Sequence, residues 1–438
     1  MSADAIALDR DTAITRTPNS TEGRAFFALL ATSFLSIAGN AFTLLAIPLY
    51  VLATTGSATK TGIVAFVNTA PPIVSAILGG AVIDRIGRRR IILIADALSM
   101  VTVGMIPLLD MLDQLTFPLL LVLVGMGSFL DAPGSTARQS MLPMLATKAG
   151  YSPERAQSMF SVAFGMSQII GPSLAGVSVA AIGAAGTIWI NCATFGVAIL
   201  LVGLFISNEQ AFAVESTRTN YLDDLKLGWR FVWHEPFMRA MMITGAAFAG
   251  LFIPIYTVLY PVYFTRIVES ERGLGFFIGI ESLGALLGAV VYGLIGHRFS
   301  RWKAMIFCLI AWLPTYWVLV FHPPLWVLLI AGFGAGLLTG PLQPIFNVAF
   351  QVRTPESMRP RVYGLVMASN LIAVPVGAII MGPLIEWLGV INALTVLATL
   401  VTVACIWCAF IPVFRVLDHP LEAGEAERIV ASLEAPAP

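Results

Sequence analysis

Twelve apolar stretches of about 20 residues or more follow one another with only short polar links. They fall at approximately residues 25–53, 61–83, 91–112, 116–143, 156–182 and 185–207, then 238–265, 274–296, 303–321, 325–350, 361–386 and 390–414. A helix of that length crosses the roughly 30 Å hydrocarbon core of a bilayer with its backbone hydrogen bonds made internally. Soluble domains carry about 25% charged residues, whereas only 11% of these 438 residues are charged and 58% are hydrophobic. The pattern predicts an all-α membrane protein. Formal net charge is zero, which excludes nucleic acid as a partner bound through a basic domain.

The spans divide as six, a polar interval, and six. This predicts a tail over 1–23, a six-helix bundle over 24–207, a linker over 208–236, a second six-helix bundle over 237–415 and a tail over 416–438. Lys and Arg placement sets the orientation. Loops on one side carry Arg85, Arg88–Arg90, Arg138, Lys148, Arg155, Arg218, Lys226, Arg230, Arg239, Arg298, Arg301, Lys303, Arg353, Arg359 and Arg361, against Lys60, Arg266 and Arg272 on the other. The richer side is cytoplasmic, so both termini are expected in the cytoplasm of a multi-pass cell-membrane protein. The segment to Thr21 is polar and mixed in charge, unlike a cleavable signal, and reads as a disordered tail. In the linker, Leu222, Leu225, Leu227, Trp229, Phe231 and Trp233 alternate with polar residues. That predicts an amphipathic helix from about Tyr221 to Trp233 on the membrane face, which also tethers the two halves.

Between the second and third spans the chain reads Gly80-Ala-Val-Ile-Asp84-Arg85-Ile-Gly87-Arg88-Arg89-Arg90. So short a link makes a tight hairpin with its arginines outside the hydrocarbon. The stretch is echoed by Gly293-x-x-x-His297-Arg298-x-Ser300-Arg301 in the second half, and Ser167–Pro172 by Asn370–Pro375. This hairpin resembles the signature loop of the major facilitator superfamily, whose two halves are parallel six-helix repeats. Gly340–Asn347, Arg359–Gly364 and Ala95–Ala97 are most similar to its multidrug-efflux branch of Tap-like, macrolide-efflux-like and enterobactin-exporter-like drug:proton antiporters.

The resemblance implies a conformational latch. Gly80, Asp84, Arg85, Gly87 and Arg88 would face the start of the eleventh span near Arg359 and Arg361, where the positive helix end favours a carboxylate. The bland alternative for Asp84 is a helix-end charge of topogenic value. Asp96 and Arg138 join the same charge network. Gly171-Pro172-Ser-Leu-Ala-Gly176 in the fifth span resembles the antiporter motif of the family's exporters; close helix packing by small residues is the alternative.

Two acids lie deep in spans, Asp131 in the fourth and Glu281 in the eighth, roughly 10 Å from its outer end. Ionisable groups at such depth face a cavity or pair with one another, and mark proton or substrate paths. Both are candidates for proton coupling. The alternatives are a structural pair of Asp131 with Arg138 and a structural carboxyl at Glu281. Asn40 in the first span stands where related exporters often have an acid. Phe248, Phe252, Tyr256, Tyr260 and Tyr263 recur almost once per turn in the seventh span, while Gln343, Phe346, Asn347 and Phe350 surround Pro341 and Pro344 in the tenth. The resemblance places both spans at the substrate cavity, so Asn40, Phe248, Phe252, Tyr256, Tyr260, Gln343 and Asn347 are candidate cavity residues, with core packing as the alternative.

Cys192, Cys308, Cys405 and Cys408 all lie in apolar spans and imply no disulfide framework. No nucleotide-binding loop, metal cluster or nucleophile constellation is legible, so neither enzyme chemistry nor a cofactor is expected. The reading is a secondary active transporter, working as a monomer, that exports drugs or other amphipathic small molecules by proton antiport, with sodium as the alternative ion. Export of one endogenous metabolite is the nearest rival, ahead of an uptake symporter or a non-transporting sensor.

Overall fold

The computed structural model describes residues 20–75, 86–207, 221–355 and 358–418. Its helices are α1 Ser20–Thr55, α2 Ala58–Thr69, α3 Arg88–Met111, α4 Phe117–Lys148, α5 Pro153–Phe205, α6 Tyr221–His234 and α7 Pro236–Pro254. After a π-helical turn, Ile255–Leu259, come α8 Tyr260–Arg266, α9 Glu271–Ile295, α10 Arg301–Val320, α11 Leu325–Thr339, α12 Leu342–Arg353, α13 Arg359–Leu388 and α14 Val390–Phe410. No strand occurs among the described residues. Ten of their helical stretches are long and apolar enough to cross a membrane.

Local sequence sets the starts. Ser152, Ser270 and Ser300 precede α5, α9 and α10, and each side chain accepts the amide three residues on. Prolines occupy the first turns of α4, α5 and α7, where their missing amide costs nothing. The fifth and sixth spans, expected at 156–182 and 185–207, are the two helical arms of α5, which meet at Gly183, φ 76°, a backbone position outside the helical region. Gly389, φ 80°, separates α13 from α14 in the same backbone region, which glycine enters without a Cβ penalty. The tenth span breaks into α11 and α12 at Gly340-Pro341, since proline cannot continue the amide ladder.

The chain forms two compact units, Met1–Thr43 with Pro71–Gly171 and Ala185–Glu215, and Leu44–Ala70 with Pro172–Ala184 and Ser216–Pro438. In the first, α3 packs along α4, with Gly127 against Thr102 and Gly134 against Ala95. Phe26, Leu29, Ile92, Met141, Leu145 and Val202 fill its core. In the second, α9 lies on α11, and α13 touches both α7 and α2. Small residues allow these approaches: Gly250 meets Ala373, and Gly62 meets Ala378 and Gly382. The second unit also holds α6, whose Phe231 and Val232 are buried while Trp229 and Trp233 stack, exposed, at 5.3 Å. Large apolar side chains such as Leu204, Trp387 and Phe410 are strongly exposed. Such a surface suits hydrocarbon rather than water.

Candidate functional site

In the first unit, the α3–α4 packing brings Asp96 and Arg138 together. Arg138 Nη1 donates to both carboxylate oxygens of Asp96, at 2.9 and 3.0 Å, and Nη2 donates to Ser36 Oγ of α1 at 2.7 Å. Both charged side chains are 2% exposed. The structure therefore replaces the pairing of Arg138 with Asp131, considered above, by one with Asp96. A single guanidinium nitrogen is thus shared between the two Asp96 oxygens, in charge-assisted hydrogen bonds, while the other arm of the fork is turned to Ser36. Asp131, about two turns before Arg138 in α4, accepts instead from Asn40 Nδ2 on Oδ2 at 2.8 Å. Its Oδ1 is buried and has no hydrogen-bond partner. Arg138 and Asp96 both act on it electrostatically. Asn40 and Asp131, chosen separately from the sequence, thus form one bonded pair.

In the second unit, the π-helical turn carries Tyr256, whose hydroxyl donates to Glu281 Oε1 on α9. Glu281 is 5% exposed, and its Oε2 is buried without a hydrogen-bond partner. A close crossing holds this carboxyl. Gly336 of α11 abuts the Glu281 carbonyl, Gly340 abuts the Ala285 carbonyl, and Gly284 and Gly288 of α9 abut Phe333 and Leu337. Around it Phe252 stacks on Trp312 at 4.0 Å and on Phe248 at 5.2 Å, while Tyr256 meets Tyr260 edge-on at 5.1 Å. Tyr260 packs on Phe277, and Tyr263 donates to the Leu319 carbonyl at 2.8 Å. Tyr260 and Tyr263 are each 1% exposed, so this end of the aromatic stripe is packed core in this state. Phe248 and Tyr256 are partly exposed, and Gln343 and Asn347 of α12 are exposed.

In α5, a Cβ on Gly171 would lie 3.0 Å from the Ala38 Cα of α1, in the first unit. Gly176 abuts the Gly275 backbone of α9, in the second unit. Pro172 lies inside α5. At the hairpin, Gly80, Asp84 and Arg85 lie outside the described residues. Gly87, φ 92°, precedes α3, and Arg88 Nη1 donates to the Ser140 carbonyl at 3.3 Å. Arg359 Nε donates to the Thr354 carbonyl at 3.1 Å, and Arg361 Nη1 to Met358 Sδ at 3.7 Å.

Sequence reasoning missed three groups. Arg353 Nη1 donates to Glu235 Oε1 at 2.9 Å in a buried pair, and Glu235 also caps α7 by accepting the Met238 amide. Trp312 and Tyr316 of α10 complete the aromatic cluster. Glu386, near the end of α13, accepts from Ser57 and Thr59. The glycine spacing 284/288 against 332/336/340 was a readable sign of the α9–α11 crossing. Nothing comparable marked Glu235. Among the described residues no cluster of three or more His, Cys, Asp or Glu side chains could hold a metal ion. The four cysteines are free thiols.

Buried acids set among bilayer-length helices define a polytopic membrane protein with ionisable groups in its spans. The chain belongs to the major facilitator superfamily: the model of that name matches residues 29–269 and 255–435. It is 34% identical over 385 residues to the multidrug efflux pump Tap of Mycolicibacterium fortuitum, covering 87% of this chain and 94% of that one. The enterobactin exporter EntS of Escherichia coli O1:K1 / APEC is 26% identical over 366 residues, 82% of this chain and 85% of the exporter. Among solved structures, the nucleoside transporter NupG superposes with a TM-score of 0.68 at 14% identity, covering 88% of this chain and 98% of the other. That likeness concerns the fold.

Proposed function

We propose that this membrane transporter exports drugs or other amphipathic small molecules across the cell membrane in exchange for protons, by alternating access of two six-helix halves. Buried carboxyl oxygens with no bond made carry this reading: Glu281 Oε2 in one unit and Asp131 Oδ1 in the other. A structural acid buried at such cost is expected to be fully paired, as Asp96 is. Glu281 meets a phenol and Asp131 an amide, partners that hold a carboxyl in place in either charge state. A proton can therefore arrive and leave without breaking an ion pair. The partly exposed rings of Phe248 and Tyr256, with the amides of Gln343 and Asn347, supply an adaptable surface for varied ligands. The efflux relatives support the direction of transport.

The positive-inside count supports both termini in the cytoplasm and the α1–α2 turn outside. Packing of α2 on α13, and of Gly176 on Gly275, supports a state sealed at that outer end. Asp84 with Arg359 and Arg361 is the proposed opposing latch. The likeness to EntS favours one second reading, a dedicated exporter of an endogenous metabolite.

The test is ethidium or tetracycline accumulation in pump-deficient cells carrying wild type, Asp131→Asn, Glu281→Gln or both, with and without a protonophore. Wild type lowers accumulation in energised cells alone, and each variant loses that effect. Full uphill export by the double variant refutes the assignment of the carriers. A narrow substrate profile would select the second reading.

A further inference from the structure

Helix α2 begins with exposed amides that its own turns cannot satisfy. Ser57 caps it in extended conformation, accepting the Lys60 amide at 3.3 Å. The Ser57 hydroxyl then donates to Glu386 Oε1 at 2.7 Å. Glu386, on a helix 329 residues further along the chain, also accepts the Thr59 amide on Oε1 at 3.3 Å and the Thr59 hydroxyl on Oε2. One carboxylate thus takes three donors from the first turn of α2, where the helix dipole favours negative charge. Beside it Arg266 Nη2 donates to the Gly56 carbonyl, holding the turn before α2.

The seam below has no room to spare. A Cβ built on Gly62 would lie 2.7 Å from the Ala378 carbonyl, and one on Gly382 would lie 2.6 Å from the Ala58 carbonyl. Close backbone contact alone holds equally well in any register of small residues. The carboxylate fixes which turn of α13 meets the first turn of α2.

We propose that Glu386 is a gating residue for transport: its carboxylate clasps the α2 N-terminus and holds the outer end of the α2–α13 seam closed, and its release permits that end to open. The proposal rests on the transporter reading for its role in the cycle, while its geometry is independent of substrate and of the coupling ion. Glu386 is exposed and its carboxylate is engaged by the first turn of α2, so it acts by positioning α2.

The test uses the full chain with a reporter Thr61→Cys at a fully buried α2 position, present in every chain compared, so that loss of the Thr61 hydroxyl's bond to the Ser57 carbonyl is common to all. Labelling by a membrane-impermeant maleimide from outside is compared with the chain carrying its native cysteines alone. Glu386→Ala is expected to raise the reporter's labelling rate about tenfold, and Glu386→Gln less, as fits losing charge-assisted bonds at an exposed site. The pair Ser57→Ala/Thr59→Val removes the same hydroxyls from the other side and is expected to add nothing in the Glu386→Ala background. An unchanged rate in Glu386→Ala, or additive effects of the two sets, overturns the clasp. Faster labelling in a chain that exports none of the drugs tested sustains the clasp and refutes the drug-export reading instead.

Discussion

Arg138→Met tests whether the buried ion pair is a structural keystone of the first unit. The substitution keeps a long flexible side chain but removes three hydrogen bonds, two to Asp96 and one to Ser36. It leaves the Asp96 carboxyl 2% exposed with no cation beside it. Breaking a buried pair from one side costs about 3–5 kcal/mol. That corresponds to roughly a two-hundred- to five-thousandfold loss in the folding equilibrium. Detergent-solubilised protein titrated with SDS, followed by tryptophan fluorescence, measures it. Removing both charges as Asp96→Leu/Arg138→Met eliminates the stranded group, so the double variant is expected to recover most of the loss. The reasoning fails if Arg138→Met is as stable as wild type, or if the double variant is worse than either single one. Asp131 feels the same guanidinium, so drug efflux is a second readout. A variant restored in stability but not in export would assign Arg138 a part in coupling as well.

Gly176→Ala places a methyl against the Gly275 backbone and must push α5 from α9, whereas Gly165→Ala meets nothing within 4 Å. The first is expected to lose most efflux and the second to keep it, or to gain about 0.5–1 kcal/mol of helix stability; equal efflux by the two would refute the close-packing account. Tyr256→Phe retains the ring contact with Tyr260 but withdraws the donor to Glu281, which costs about 1–3 kcal/mol for a buried acceptor. Its export rate should fall markedly while its melting point drops modestly, and wild-type export would show that the phenol does not position the acid.

Chain-level architecture was plainly written in the sequence, because bilayer-length apolar runs and loop charge are additive properties of neighbouring residues. Backbone chemistry sets the finer breaks: Gly183 falls in the expected gap between the fifth and sixth spans, whereas the break at Gly340-Pro341 inside the tenth was not read. Individual acids were visible for the same reason that made the spans visible: a carboxyl stands out in hydrocarbon. Their partners were not. Asn40 and Asp131 are 91 residues apart, and Glu235 and Arg353 are 118 apart, so only tertiary packing pairs them. Arg138 illustrates the limit: the sequence left it between a pair with Asp131 along α4 and a shared network with Asp96, and only the packing of α3 on α4 decides for Asp96. Trp312 and Tyr316 went unnoticed because aromatic residues in an apolar span look alike whether they face lipid or a carboxyl. Glu386, the last residue of the span at 361–386, drew no reading of its own.

The π-helical turn at Ile255–Leu259 accommodates one residue more than an α-helical turn would hold. It works as a phase shifter. Phe252 before it keys into Trp312, and Tyr260 after it keys into Phe277, each set in its own angular register. Each α-helical residue turns the chain by about 100°, so deleting a single residue here would not trim a loop. It would put one of the two aromatic contacts out of register with its partner and swing Tyr256 away from Glu281, although no contacting side chain had been changed. This short segment therefore tolerates substitution far better than any change in its length.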